Sequence, residues 1–225
     1  MEEPSISIGW IGLGHAGYPL ASSLASHGHR LLVLDLDPTL PILFLEQHPT
    51  SRVATSDPDS FSNCDLVITS LPDGKVVSEV LLGEHGIAPH LKPGAVVVDT
   101  SSSSPFETRA LGLELSRLRV GLVDAPVTQE GLGAIGRGEA TFMAGCDDEE
   151  VLGKVLPVLR GMGKKVFPMG GLGAGHTMKT LNNYVSVGSI IALNDALVGF
   201  FLEISAVLGA RGVIVRDCSG CLIGW

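Results

Sequence analysis

Seven short runs rich in Val, Ile and Leu recur through the first 170 residues, each continuous rather than alternating with polar positions. They are ISIGWIG (6–12), LLVLD (31–35), LVITSL (66–71), AVVVDTS (95–101), VGLVDAPV (120–127), ATFMAG (140–145) and VFPMG (166–170). A strand that is apolar on both faces has to be covered on both faces, as in a parallel sheet between two layers of helix. Segments of helical period lie between the runs, at 17–27, 74–82, 105–117 and 148–161. The last of these opens on the acidic cluster DDEE, which is favourable at a helix N-terminus. Strand and helix alternate throughout, and this predicts a doubly wound α/β domain with a parallel sheet over residues 1–172.

The first run leads into GLGHAG, so that Gly12, Gly14 and Gly17 form G-x-G-x-x-G between a strand and a helix. Gly12 permits a tight turn, Gly14 lets the backbone approach a pyrophosphate, and Gly17 allows close helix–strand packing. Leu13, His15 and Ala16 complete the loop, whose phosphates would sit at a helix N-terminus. The next strand ends in Asp35, eighteen residues after Gly17. A carboxylate there accepts hydrogen bonds from ribose hydroxyls and repels a 2′-phosphate. No arginine follows in LDLDPT, so a Rossmann-type domain that takes NAD in preference to NADP is expected.

Composition removes several other classes. The net charge of −9 argues against an electrostatic grip on nucleic acid or acidic lipid. Cys64, Cys146, Cys218 and Cys221 are too few and scattered for a disulfide framework, which points to a reducing compartment. CSGC (218–221) has no second pair or nearby histidine, so no metal site is expected. The acidic start, MEEPSISIGWIG, resembles neither a signal nor a transit peptide, and a cytoplasmic protein is expected. Residues 184–208 are apolar over about a bilayer's thickness. Asn194, Asp195 and Glu203 interrupt them, and the run reads as a buried helix rather than a membrane span.

With these residues placed, the chain resembles the β-hydroxyacid dehydrogenase family, which includes 3-hydroxyisobutyrate, tartronate semialdehyde and 6-phosphogluconate dehydrogenases. The resemblance covers about residues 6–200 and rests on four motifs in order: IGLGHAG (11–17), VVDTSSSSP (97–105), DAPVTQEGLGA (124–134) and GAGHTMKTLNN (173–183). It implies that Lys179, at the start of a long helix leading into a helical second domain, is the catalytic acid/base. Asn183, one turn on, and Thr128 would position substrate, while Ser102, Leu71 and Pro72 would lie along the cofactor. His176 shares the lysine's helix and reads as a packing or lining residue.

Two departures stand out. Relatives carry Ser-Gly-Gly after DAPV, where this chain has Thr128, Gln129 and Glu130, which bears on the substrate. After LNDALV the family pattern fades, so 173–225 is expected to be the start of a truncated or divergent all-helical domain, with a cut or wrongly spliced tail. The functional expectation is NAD-dependent oxidation of a small β-hydroxy acid to the semialdehyde or keto acid. The rivals are a non-catalytic NAD(P)-binding protein and an imine reductase-like relative. The expected partner is a small molecule, with a homo-oligomer possible through the C-terminal helix, and neither nucleic acid nor membrane.

Overall fold

In the computed structural model of the chain, residues 6–128 and 135–207 are described, with side chains to residue 200. The strands are β1 (Ile8–Ile11), β2 (Leu31–Leu34), β3 (Arg52–Val53), β4 (Leu66–Thr69), β5 (Val96–Asp99), β6 (Gly121–Asp124), β7 (Val127–Thr128), β8 (Ala140–Gly145) and β9 (Gly163–Gly170); the seven apolar runs supply all but the two short strands β3 and β7. They form one sheet in the order β3-β2-β1-β4-β5-β6-β8-β7, with β9 paired to β8. From β3 to β6 every pairing is parallel, with Ile8 opposite both Leu31 and Leu66. The chain runs from β1 outward to β2 and β3, then returns to β4 on the other side of β1. That reversal opens a crevice at the carboxyl ends of β1 and β4.

The helices are α1 (Gly17–Ser26), α2 (Thr39–Gln47), α3 (Gly74–Leu82), α4 (Pro105–Arg117), α5 (Glu149–Met162) and α6 (Ala174–Val207). Successive strand residues feed opposite cores. Ile68, Val98 and Val123 pack with Leu20 and Leu24 of α1, Phe44 of α2 and Leu159 of α5. Their neighbours Val67, Val97 and Leu122 pack with Val77 and Leu81 of α3 and Leu111 and Leu115 of α4. Two separate apolar layers explain why the runs do not alternate with polar residues.

Three features differ from the sequence reading. Residues 39–47 form α2, which carries Pro41 in its first turn, where a missing N–H costs nothing. The sheet is parallel only as far as β6: β8 runs antiparallel to β6 and β7, then parallel to β9. The third difference concerns α6, which was expected to be buried. Tyr184, Val185, Leu193, Val198 and Phe200 are all exposed. Its apolar residues are spread around the whole circumference, so no single stripe exists for the described residues to cover. The chain divides into two compact units, with the boundary between Thr180 and Leu181 in α6. No described helix is long and apolar enough to cross a membrane.

Helix α3 begins where the segment 70–73 leaves the crevice, and Asp73 caps it by accepting from the backbone N–H groups of Lys75 and Val76, both at 2.9 Å. Asp73→Ala is expected to lower unfolding stability by about 1 kcal/mol, measured by chemical denaturation.

Candidate active site

The glycine loop is built by contacts that exclude side chains at two positions and leave a third open. Gly12 has φ +97°, and a Cβ there would run into the Ser70 carbonyl. A Cβ on Gly17 would run into the Gly12 carbonyl, so α1 can sit this close to β1 only with glycine at that position. Gly14 is exposed, with nothing within 4 Å of where a Cβ would stand. Such an open cradle in front of a helix N-terminus fits a dinucleotide pyrophosphate. His15 is exposed and Ala16 half-buried beside it, whereas Leu13 is buried in the core. Leu13 therefore turns its side chain away from the cradle, and its backbone N–H is taken by Asp35.

Asp35 follows β2 and is half-buried. Its carboxylate accepts from the Leu13 N–H at 2.5 Å and from the Asp37 N–H at 2.9 Å. The acidic residue is thus tied directly to the glycine loop. Leu36, next in sequence, is fully exposed.

The serine run divides its labour. Ser101 and Ser103 are buried, and Ser102 between them is exposed. Asp99 accepts from the Thr69 hydroxyl at 2.9 Å, the Ser101 N–H at 3.0 Å and the Ser103 hydroxyl at 3.0 Å. The Ser101 hydroxyl accepts from the Leu71 N–H at 2.9 Å, which holds the segment containing exposed Pro72. Ser102 is left facing outward. Thr128 is half-buried in β7, opposite Thr141. Gln129 and Glu130 lie outside the described residues.

Helix α6 is fastened to the sheet by Asp124, at the end of β6. One carboxylate oxygen accepts from the Gly173 N–H and the other from the His176 N–H, each at 2.7 Å. Burial holds the Asp124 carboxyl above its ordinary value, and these two N–H groups and His176 offset only part of that rise. Gly175 permits the approach, since a Cβ there would run into the Met143 carbonyl. His176 is fully buried. Its Nδ1 lies 2.7 Å from the Thr108 hydroxyl and its Nε2 3.1 Å from the Ser101 carbonyl. Sequence reasoning missed Asp99, Asp124 and His176 as a connected group. The only signal was that each falls inside one of the four motifs.

Lys179 follows three residues later and is half-buried. Burial alone holds its ammonium below the ordinary lysine value. No hydrogen bond or ion pair joins it to another described residue, so nothing there stabilises the charged form. Asn183 is exposed and belongs to the second compact unit.

Comparison with known proteins agrees with this geometry. Residues 7–171 match the model of the NAD binding domain of 6-phosphogluconate dehydrogenase. The 2-hydroxy-3-oxopropionate reductase of Escherichia coli K12 is 34% identical over 212 residues, covering 94% of this chain and 69% of the reductase. The chain belongs to the β-hydroxyacid dehydrogenase family. Another member, the mitochondrial 3-hydroxyisobutyrate dehydrogenase of Rattus norvegicus, is 33% identical over 190 residues, covering 84% of this chain. The chain spans only 56% of that relative's length. Among solved structures, the Mycobacterium tuberculosis 3-hydroxyisobutyrate dehydrogenase with L-serine gives a TM-score of 0.81 at 27% identity. That match covers 96% of this chain and 75% of the mycobacterial one. The sheet and glycine loop of this β-hydroxyacid dehydrogenase family member therefore form an NAD-binding domain.

The loop geometry separates folding from binding. Gly14→Val should change stability by no more than about 0.5 kcal/mol, because the site is open. It should weaken NADH binding at least about ten-fold, or 1.4 kcal/mol, by filling the cradle. Gly17→Val should instead lower stability by about 1–3 kcal/mol through overpacking. Thermal melts and fluorescence titration with NADH distinguish the two.

Proposed function

We propose that this chain carries the nucleotide-binding and proton-transfer parts of an NAD-dependent dehydrogenase that oxidises a small β-hydroxy acid to its semialdehyde or keto acid. The observation that carries the reading is Lys179: a half-buried amine, depressed by burial, with no described acceptor, one turn into the helix that Asp124 fastens to the sheet. In this reading residues 1–172 are the nucleotide domain and 173–225 begin a helical second domain. Gly12, Leu13, Gly14, His15, Ala16 and Gly17 would hold the pyrophosphate, and Asp35 the adenosine ribose. Leu71, Pro72 and Ser102 would line the nicotinamide side. When bound, NAD supplies the two-electron hydride acceptor that alcohol oxidation requires.

The chain's own part is the proton. Lys179 Nζ, when neutral, accepts the substrate hydroxyl proton, and as ammonium returns it in the reverse direction. Depression by burial raises the neutral fraction at a given pH above that of a surface lysine. Thr128 and Asn183 would orient the substrate, following the family resemblance. The apolar run along α6 supports association through that helix, and a cytoplasmic setting belongs to the same proposal. The 3-hydroxyisobutyrate and 2-hydroxy-3-oxopropionate relatives support a short hydroxy acid as the substrate class.

Asp35 sets the cofactor preference in this reading. NAD should bind at least about ten-fold more tightly than NADP, and Asp35→Ser should narrow the gap by relieving repulsion of the 2′-phosphate. Equal affinities in the unaltered protein would overturn the assignment.

Lys179→Met tests the base. It should leave NAD binding within about two-fold and lower turnover by ~10²–10⁴-fold. Oxidation by the unaltered protein should rise with pH as the ammonium loses its proton, and level off below the ordinary lysine value of ~10.4. The folding equilibrium offers a check without turnover. Between the lowered folded value and the unfolded one, the unfolded chain binds the extra proton. Stability therefore gains from rising pH across that window, and Lys179→Met should remove that part of the slope. A variant that turns over normally would show that Lys179 is not the base.

A further inference from the structure

Between the sheet and α6 lies a buried polar group that the proton-transfer reading does not use. The His176 ring sits 3.7 Å from Asp99 through Nε2 and 3.7 Å from Asp124 through Nδ1. All three side chains are almost wholly buried. Nε2 faces the Ser101 carbonyl, which can only accept, so that nitrogen carries a hydrogen. Nδ1 faces the Thr108 hydroxyl at 2.7 Å, and that hydroxyl has one hydrogen to give, either to Nδ1 or to the Ser104 carbonyl 3.0 Å away. Whichever way that hydrogen turns, the ring is held between Thr108 on one side and the Ser101 carbonyl on the other.

We propose that His176 is a positioning residue for Lys179: its ring bonds to Thr108 and Ser101, with its N–H bond to Asp124, fix the rotation of the first turn of α6 and so hold the lysine in its half-buried place. This rests on the reading of Lys179 as the base. The physical reason is directional. One residue of slip turns a helix by about 100°, which would carry Lys179 to another face. Apolar side chains pack with little regard to such a turn, whereas bonds to two carboxylate oxygens, a carbonyl and a hydroxyl on three different elements do not survive it. Apolar residues in place of a buried polar group are often as stable or more so, so stability alone does not account for this cluster. Its position accounts for it better. It lies one helical turn before the lysine, where placement decides how much water reaches the amine.

Several charged or titratable groups face this junction from the packed elements. They are Asp99 of β5, Asp124 of β6, Cys146 and Asp147 after β8, and Arg109 and Glu107 of α4. Asp147 accepts from the Leu172 N–H at 2.9 Å, and Arg109 donates Nε–H to the Leu172 carbonyl at 3.1 Å. All remain in the variants below, so they do not differ between the compared proteins.

The test reads the amine itself in the full chain, without turnover. Competitive acetylation across pH, resolved by mass spectrometry, gives the titration midpoint of Lys179 against exposed Lys75 as internal reference. His176→Leu should move the Lys179 midpoint upward, reducing its neutral fraction at pH 8 by about three- to ten-fold. Thr108→Val, which keeps the side-chain shape on α4, should shift it the same way by less. His176→Gln, which can still donate to the Ser101 carbonyl, should restore most of the wild-type midpoint. A merely structural histidine would lower the melting temperature and leave the Lys179 midpoint of the folded protein where it was. An unchanged midpoint in folded His176→Leu overturns the proposal, and if that variant does not fold, an unchanged midpoint in Thr108→Val does so. Normal turnover in Lys179→Met would sink the base reading alone, because the midpoints are measured independently of it.

Discussion

The carboxylate of Asp124 is the joint on which the candidate site depends. It ends a central strand, and its two oxygens take two N–H groups from the opening turn of α6. Those N–H groups have no partner within their own helix, and in most helices a side chain just before the first turn would serve them. Here the cap comes from the sheet. The same bonds that complete the helix therefore fix where it starts relative to the strand ends. A buried carboxylate is costly to maintain, and two N–H donors of this kind make it tolerable. Glycine at 173 and 175 is part of the same solution, since a side chain at 175 would meet the Met143 carbonyl.

The parallel sheet does the remaining placement. Because β1, β2, β4, β5 and β6 run the same way, their carboxyl ends share one edge. Every loop that carries a candidate residue leaves from that edge: the glycine loop after β1, Asp35 after β2, Leu71 and Pro72 after β4, Ser102 after β5. These loops are cross-linked to one another. Asp35 holds the Leu13 N–H, Ser101 holds the Leu71 N–H, and Asp99 ties Thr69 to Ser101 and Ser103. Most of the polar side chains in these loops are spent on one another. What is left facing outward, at Gly14, Ser102 and Pro72, is available to a ligand.

Much of this was legible in the sequence for a physical reason. Strands covered on both faces must be apolar throughout, so β1, β2, β4, β5, β6 and β8 announced themselves, and α3 and α4 had the expected limits. Glycines forced by close contacts at 12 and 17 were equally plain. Helix α2 was not, because Pro41 and a short apolar stretch resemble a turn, and the internal position of a proline decides whether it breaks a helix or begins one. The direction of β8 was hidden because a parallel and an antiparallel strand buried on both faces have the same composition. The exposure of α6 was hidden because an apolar helix carries no record of what surrounds it. The Asp99–His176–Asp124 group was hidden for a different reason. Its members are 77 positions apart at the extremes, from 99 to 176, and only the fold brings them together.

The lysine shows why that hidden group matters to the visible motif. An amine takes up a proton in water far above neutral pH, so a lysine that acts as a base has to be kept from both water and carboxylates. Lys179 meets the second condition, since no hydrogen bond or ion pair joins it to a carboxylate among the described residues. The carboxylates of Asp99 and Asp124 accept instead from N–H and O–H donors of Thr69, Ser101, Ser103, Gly173 and His176. The partial burial of Lys179 meets the first condition, and burial is the sole cause of its shift. The motif GAGHTMK therefore divides into two parts. Its glycines and histidine seat the helix against buried acids, and its lysine makes no ion pair with them.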